Sequence, residues 1–318
     1  MSSIFIGIDV SKHNLDVATY PEVASWSVTN DQAGIKSLVK KLAKLQPERI
    51  VMEATGGYQA SALAELAAAG LPVVAVNPTQ TRSFARATGV SAKTDRIDAI
   101  VLARFAEAVK TPIRPVPDAQ ASELRELATR RGQVVRMITS EKNRRENAST
   151  RVRKELDRHI AWLEKTLKRI DDDMQKTIRN TPAWREKDDL LRSVKGIGPN
   201  TSALLIAELP ELGELDRHKI ARLAGLAPIN RDSGRFRGER HIQGGRAAVR
   251  SAIYMATLTA IRHNPVIAAF YRHLRDAGKK FKVAITACMR KLIVRLNAML
   301  RDGVPWQHES PEKSTKAA

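Results

Sequence analysis

The segment Ile4-Phe5-Ile6-Gly7-Ile8-Asp9-Val10 is apolar, short and strand-like, and its reading decides the fold of the first third of the chain. Two more strands, Leu15–Tyr20 and Ser25–Thr29, follow closely enough for a meander. Ile35, Leu38, Val39 and Leu42 then recur at helical spacing. Arg49–Glu53 is a further strand, and Ala60–Ala69 is an Ala/Leu helix stopped by Gly70 with Pro72 just beyond. Leu71–Val76 is the last strand, ended by Asn77-Pro78, and Arg82–Ala87 and Arg96–Ala108 read as helices. The order βββαβαβα predicts a mixed sheet with helices packed on it.

Four acids stand out in this α/β region. Asp9 ends the first strand, on the face of Phe5 and Gly7 by two-residue alternation. Glu53 ends the strand Ile50-Val51-Met52-Glu53. In open α/β sheets ligands gather at the carboxyl ends of strands, so adjacent strands would bring Asp9 and Glu53 to one metal. Asp95 and Asp98, in Lys93-Thr94-Asp95-Arg96-Ile97-Asp98-Ala99, project from one side of a helix one turn apart. An acid at the end of a core strand needs a compensating partner. Hard oxygen ligands select Mg²⁺ or Mn²⁺ over zinc. Two such ions about 4 Å apart would bind the attacking and leaving oxygens of a phosphodiester. Other readings stay open. Asp95 and Asp98 also suit the first turn of a helix, where acids favour the dipole. A Gly-Ile-Asp strand also opens sugar-kinase and actin-like phosphate loops, but there glycines and small hydroxyls follow, whereas Val10-Ser11-Lys12-His13 is bulky.

Pro112, Pro115 and Pro117 mark a linker, beyond which long helices take over. Leu124, Leu127, Arg131, Val134 and Ile138 step by three and four, as do Val152, Leu156, Ile160, Leu163, Leu167, Ile170 and Met174. This is a coiled-coil seam. The polar gap between Ile138 and Val152 equals two heptads, so one unbroken helix keeps phase, and a hairpin turning near Asn147-Ala148-Ser149 fits equally. Thr181-Pro182 ends the region. The rest is mainly helical, with helices at Ala247–Arg262, Pro265–Ala277 and Lys282–Arg301, interrupted by a Gly-rich basic loop from Pro228 to Gly245. The expected division is 1–118 α/β, 119–185 helical and coiled, 186–305 mainly helical, and 306–318 a polar disordered tail.

Lys and Arg number 54 against 34 Asp and Glu, giving a formal net charge of +20. Such a field attracts polyanions, nucleic acid first and an anionic membrane surface second. No apolar run approaches the roughly 20 residues of a membrane span. Met1-Ser2-Ser3-Ile4 lacks the basic start of a signal peptide. The single cysteine, Cys288, excludes an intrachain disulfide and a cysteine-based zinc site, and reads as a core residue. A cytoplasmic protein working on nucleic acid fits these features.

The motifs, taken in order, resemble a known family. Gly7-Ile8-Asp9-Val10-Ser11-Lys12, Met52-Glu53-Ala54-Thr55-Gly56-Gly57-Tyr58, Asn77-Pro78 and Lys93 to Ala99 resemble the DEDD transposases of the IS110 insertion sequences, related to the pilin-gene inversion recombinase. Val194-Lys195-Gly196-Ile197-Gly198-Pro199, Gly225-Leu226-Ala227-Pro228, Asp232-Ser233-Gly234, Gly244-Gly245 and Arg250 through Tyr254-Met255-Ala256 resemble that family's C-terminal transposase domain. The resemblance implies an N-terminal domain similar to the Holliday-junction resolvase RuvC, of ribonuclease-H-like fold. Its four acids fall on Asp9, Glu53, Asp95 and Asp98, and its serine nucleophile on Ser233. It also implies recombination of double-stranded DNA guided by a structured bridge RNA, in a prokaryotic, nucleoid-associated setting. Recombining two duplexes favours a dimer or tetramer.

From its own residues Asp232-Ser233-Gly234 is a plain turn tripeptide. Its setting is unusual: Arg231, Arg235, Arg237, Arg240 and Arg246 surround it, with glycines between. Glycines let the backbone approach a phosphate, and arginines bind phosphate oxygens bidentately. A serine hydroxyl is a weak nucleophile until activated, and the nearest candidate activator is a carboxylate-bound metal. The expectation is a composite site, with acids and Mg²⁺ from one domain and Ser233 from another. Lys195, Gly196 and Gly198 fit a helix-hairpin-helix turn that offers backbone N–H groups to a DNA phosphate, or a plain helix–helix turn. Lys12, Lys93, Arg96 and Arg250 complete the expected nucleic-acid contacts. Basic residues on the coil (Lys142, Arg144, Arg145, Arg151, Arg153, Lys154) and on the C-terminal helices add to that surface. Two other functions remain: a RuvC-like, structure-selective endonuclease using water and no serine, and a non-catalytic nucleic-acid-binding protein.

Overall fold

Strand β1 (Phe5–Val10) forms the middle of a five-stranded sheet of order β3-β2-β1-β4-β5. It pairs antiparallel with β2 (Asn14–Tyr20), which pairs antiparallel with β3 (Ser25–Thr29), giving the expected meander. Helix α1 (Gln32–Leu45) leads to β4 (Arg49–Glu53), parallel to β1. Helix α2 (Ala60–Ala68) leads to β5 (Val73–Val76), parallel to β4. Helices α3 (Pro78–Ala87) and α4 (Asp95–Ala108) complete this part. Asn77 starts α3 by accepting from the Thr79 N–H at 2.8 Å, with Pro78 in the first turn, so the helix begins four residues before the expected Arg82.

The computed structural model describes residues 3–54, 56–92, 94–113, 118–230, 232–234 and 236–307, without the side chains of Phe236 and Arg237. The chain divides into two compact units, Met1–Pro117 and Asp118–Ala318. The tail beyond residue 307 and linker prolines Pro115 and Pro117 lie outside the described residues.

In the first unit, alternation sorts the sheet into two faces. Ile6, Ile8 and Val10 join Leu15, Ile50 and Met52 in a core closed by α1 and α2. Phe5, Val51, Val74 and Val76 face the other way and pack with Leu102, Phe105 and Ala106 of α4. Gly7 is on this second face, where a Cβ would stand 2.1 Å from the Ala99 carbonyl oxygen and 2.3 Å from the Ala103 nitrogen. Only a residue without a side chain lets α4 lie on β1 this closely. Phe84 of α3 meets Phe105 of α4 edge to face, centroids 5.5 Å apart, and ties those helices together.

The second unit begins with α5 (Ala119–Glu146) and α6 (Thr150–Asn180). They form an antiparallel hairpin, one of the two arrangements the heptad phase allowed. Arg131 pairs with Asp171 at 2.6 Å and Lys142 with Glu164 at 2.8 Å across it. Its seam is part of a larger core: Leu124, Val134, Leu163, Met174 and Ile178 belong to one cluster with Leu205, Ile253 and Leu292 of later helices. Those helices are α7 (Pro182–Arg192), α8 (Pro199–Glu208), α9 (Arg217–Leu223), α10 (Ala247–His263), α11 (Pro265–Asp276) and α12 (Phe281–Asp302). Cys288 is buried in this core, as expected.

Between α9 and α10, where a loop was expected, the chain forms a two-tiered antiparallel ribbon. Its base pairs β6 (Pro228–Ile229) with β9 (His241–Ile242), and its tip pairs β7 (Asp232–Ser233) with β8 (Phe236–Arg237). Along the chain two residues (230–231) separate the tiers on the outgoing arm and three (238–240) on the return arm, so the arms differ by one residue. Strands of two residues carry no readable alternation, which is why composition alone suggested a loop.

Candidate active site

The register places the two strand-end acids together. Ile8 pairs with Met52, both toward the α1–α2 core. The next residues, Asp9 and Glu53, therefore stand on neighbouring strands and face α4. Helix α4 brings Asp95 and Asp98 in its first turn, which Thr94 caps by accepting from the Ile97 N–H at 3.2 Å. The close seat of α4 over Gly7 delivers that turn to the Asp9 end of the sheet.

The electrostatics show the convergence. Burial, then the charges of Asp98, Asp95 and Glu53, push the Asp9 carboxyl up to about 6. The three groups that oppose its ionisation by charge are the three acids the sequence grouped with it. Among the described residues, no three His, Cys, Asp or Glu side chains are gathered closely enough to hold an ion as they stand. The donor set still fits a divalent cation: four hard carboxylates, three of which oppose the ionisation of Asp9, an opposition a cation would relieve.

Three supporting residues were not read from the sequence. The Thr81 hydroxyl of α3 is buried, 3.1 Å from Glu53 Oε2 and 3.0 Å from the Pro78 carbonyl oxygen, so its one proton is shared between the carboxylate and its own helix. Asn30 donates from Nδ2 to the Ser11 carbonyl at 2.9 Å and the Tyr58 carbonyl at 3.2 Å, clamping the turns that follow Asp9 and Glu53. Asp16 stands opposite Asp9 in the β1–β2 pair, a further half-buried carboxylate on the same face. Of the three, only Asp16 left a readable signal, since the hairpin register follows from its short turn. Lys12 and Arg96 are exposed near this end, and Lys93 and Thr55 lie outside the described residues.

In the second unit Ser233 is exposed at the tip of the ribbon, where β7 ends. Arg240 is exposed on the return arm; Arg231 and Arg235, and the Arg237 side chain, lie outside the described residues. Arg246, expected as a phosphate ligand, is engaged within the fold. Its guanidinium binds both carboxylate oxygens of Glu211, at 2.6 and 2.7 Å, and the Glu208 carbonyl at 2.8 Å. The Arg246 N–H donates to the Leu223 carbonyl at 2.9 Å, and Arg250 Nη1 donates to the Gly244 carbonyl at 2.6 Å. These bonds fix the foot of the ribbon.

The Lys195-Gly196-Ile197-Gly198 turn joins α7 to α8. Gly196 has φ 114°, and a Cβ there would stand 2.9 Å from the Ala260 side chain and 3.0 Å from the Ala256 carbonyl. The turn is thus seated against α10, with Lys195 and Gly198 exposed. On the hairpin, Lys142, Arg144 and Arg145 pair with Glu164, Glu141 and Asp157, which reduces the charge they offer to a polyanion.

Comparison with known proteins fits this geometry. A DEDD transposase model of the IS110 type matches residues 6–152, which hold all four acids, and the model described as "Transposase IS116/IS110/IS902 family" matches residues 188–272, which hold the ribbon and Ser233. The pilin gene-inverting proteins of Moraxella lacunata and Moraxella bovis are each 28% identical to the chain, over 316 and 317 residues, covering 96% of it and 98% of their own length. The IS116 insertion-element 44.8 kDa protein of Streptomyces clavuligerus, uncharacterized, is 28% identical over 240 residues, 75% of this chain and 54% of its own. The two units define an enzyme of the transposase class that acts on DNA. The chain belongs to the IS110 family of transposases, with the pilin gene-inverting proteins among its relatives. Among the described residues no helix is long and apolar enough to cross a membrane.

Proposed function

We propose that the chain is a recombinase that cuts and rejoins double-stranded DNA, with Asp9, Glu53, Asp95 and Asp98 as ligands of Mg²⁺ or Mn²⁺ and Ser233 as nucleophile. The observation that carries the metal assignment is the register of β1 and β4, which sets Asp9 beside Glu53 at the strand ends, with Asp95 and Asp98 in the first turn of α4; the upward shift of the Asp9 carboxyl, by burial and by the other three acids, agrees with it. When bound, the ion supplies Lewis-acid stabilisation of the charge that develops on the phosphodiester. We read the acid-bearing sheet as a ribonuclease-H-like, RuvC-type domain; its meander continued by two parallel strands supports this.

Ser233 is accessible, on a ribbon whose foot is fixed by Arg246 and Arg250, and that favours a positioned nucleophile. Its Oγ attacks phosphorus, the serine loses its proton, and the displaced DNA oxygen leaves as a hydroxyl. The phosphoserine bond retains the energy needed to join a second DNA end. Arg231, Arg235, Arg237 and Arg240 hold phosphates at the ribbon, Arg250 adds to them, and Lys12, Lys93 and Arg96 contact phosphates in the first unit. Lys195, Gly196 and Gly198 bind a DNA backbone at the start of α8. A structured bridge RNA as guide and a dimer or tetramer as working form follow from the family resemblance. The net charge of +20 suits two polyanionic partners.

The test is recombination of a plasmid carrying the DNA that flanks the gene. Asp9→Asn, Glu53→Gln and Ser233→Ala are each expected to abolish joining. Cleavage that survives in Ser233→Ala would favour the endonuclease without a covalent intermediate. Function that survives alanine at all four acids would favour a non-catalytic binding protein.

A further inference from the structure

A groove of about 1010 Å³ opens in the second unit at the foot of the ribbon that carries Ser233. Arg217, Arg240, Lys282, Arg290, Lys291 and Arg295 line it, and among the described residues no acid does. Its floor is apolar: Leu226, Ile242, Phe270, Val283 and Val294 contribute. Lys291 Nζ stands 4.3 Å from the centroid of the Phe270 ring, so cation and apolar surface are interleaved. Val283, although apolar, is 54% exposed. The volume is at the upper limit of the roughly 300–1,000 Å³ usual for small-molecule sites.

We propose that this groove holds an unpaired nucleic-acid strand, with its phosphates on the cationic rim and its bases on the apolar floor. A duplex presents phosphates but keeps its base faces stacked inside, so it satisfies the rim and leaves the floor bare. An unpaired strand offers both. The chain has few aromatics, 4%, so the floor works mainly through aliphatic contact and Phe270 rather than a stacking ladder. Pro228, Arg240, His241 and Ile242, at the ribbon's foot, line the groove, so the strand it holds continues toward the tip with Ser233. The proposal rests on the reading of the chain as a DNA recombinase, in which strands are unpaired beside the cut.

The test is fluorescence anisotropy with the full chain at fixed salt, using a labelled oligothymidylate and a labelled hairpin duplex of equal nucleotide number. Lys282→Glu combined with Arg290→Glu, and separately Ala287→Trp to fill the groove, are expected to weaken oligothymidylate binding about tenfold or more. Duplex affinity is expected to change less than about twofold in Ala287→Trp. Circular dichroism of each variant confirms folding, and the two variants block the groove by different means. Equal loss on duplex in Ala287→Trp, or no loss on oligothymidylate in either variant, overturns the proposal. So does displacement of oligothymidylate by polyglutamate of the same charge. If the wild-type chain fails to bind duplex as well, the recombinase reading itself has failed. If duplex binding and recombination stand while oligothymidylate binding ignores the groove, only this inference has.

Discussion

Gly7 lies directly beneath Ala99: a Cβ added to the glycine would stand 2.1 Å from the Ala99 carbonyl oxygen. The contact between β1 and α4 is therefore backbone on backbone, and it sets where Asp98, one residue before Ala99, meets Asp9, two residues after Gly7. Gly7→Ala is expected to force α4 outward. Such overpacking costs about 1–3 kcal/mol or more, and the four carboxylates separate. Urea unfolding followed by circular dichroism, together with Mn²⁺ titration, checks this. Wild-type stability and affinity in the variant would contradict the account.

Thr81 places a hydroxyl 3.1 Å from Glu53 Oε2, within reach to orient it. Thr81→Val keeps the volume and removes the donor, whereas Thr81→Ser keeps the donor. Loss of such a supporting bond lowers metal affinity by about 10–100-fold. Calorimetric titration with Mn²⁺ should show that loss in the valine variant and near-normal binding in the serine variant. Equal affinity in both would remove Thr81 from the site.

Asp9 carries a pH signature. Its folded-state value of about 6 lies above the ordinary 3.8, so the protonated form favours the fold. The favourable contribution is fully present below about 3.8 and is lost as pH rises through about 6. Asp9→Asn, which cannot ionise, is expected to melt higher than the wild type at pH 7 in the presence of a chelator. The difference shrinks as pH falls through that window. A variant less stable than wild type at pH 7, or an offset independent of pH, would show that burial and the neighbouring acids do not hold the Asp9 carboxyl above its ordinary value.

Arg246 and Glu211 make a bidentate pair at the foot of the ribbon, both partly buried. If the pair is structural, Arg246→Ala and Glu211→Ala should destabilise similarly, by about 1–3 kcal/mol after allowing for partial exposure. Their effects should be non-additive in a double-mutant cycle. A phosphate ligand behaves differently: Arg246→Ala alone would weaken DNA binding and flatten its salt dependence, and Glu211→Ala would not.

The acids were legible because each carries a local signature, a charge closing an apolar strand or two acids one helical turn apart. The meander and the mixed sheet followed from the short apolar runs Ile4–Val10 and Arg49–Glu53 and from the βββαβαβα order. What escaped was long-range. Thr81 reaches Glu53 across 28 residues, and Glu211 neutralises Arg246 across 35, pairings that no window of sequence displays. The hairpin of α5 and α6 was undecided because two heptads preserve phase through a turn. The ribbon escaped because its strands are two residues long.

The central claim is that Ser233 bonds covalently to DNA in a reaction served by the four carboxylates. Its most direct measurement is mass spectrometry of the protein recovered under denaturing conditions from cells that also carry its flanking DNA. The account predicts a nucleotide-bearing peptide containing Ser233, lost in Ser233→Ala and diminished in Asp9→Asn. An adduct that persists undiminished in Ser233→Ala, or maps to another residue, would contradict it.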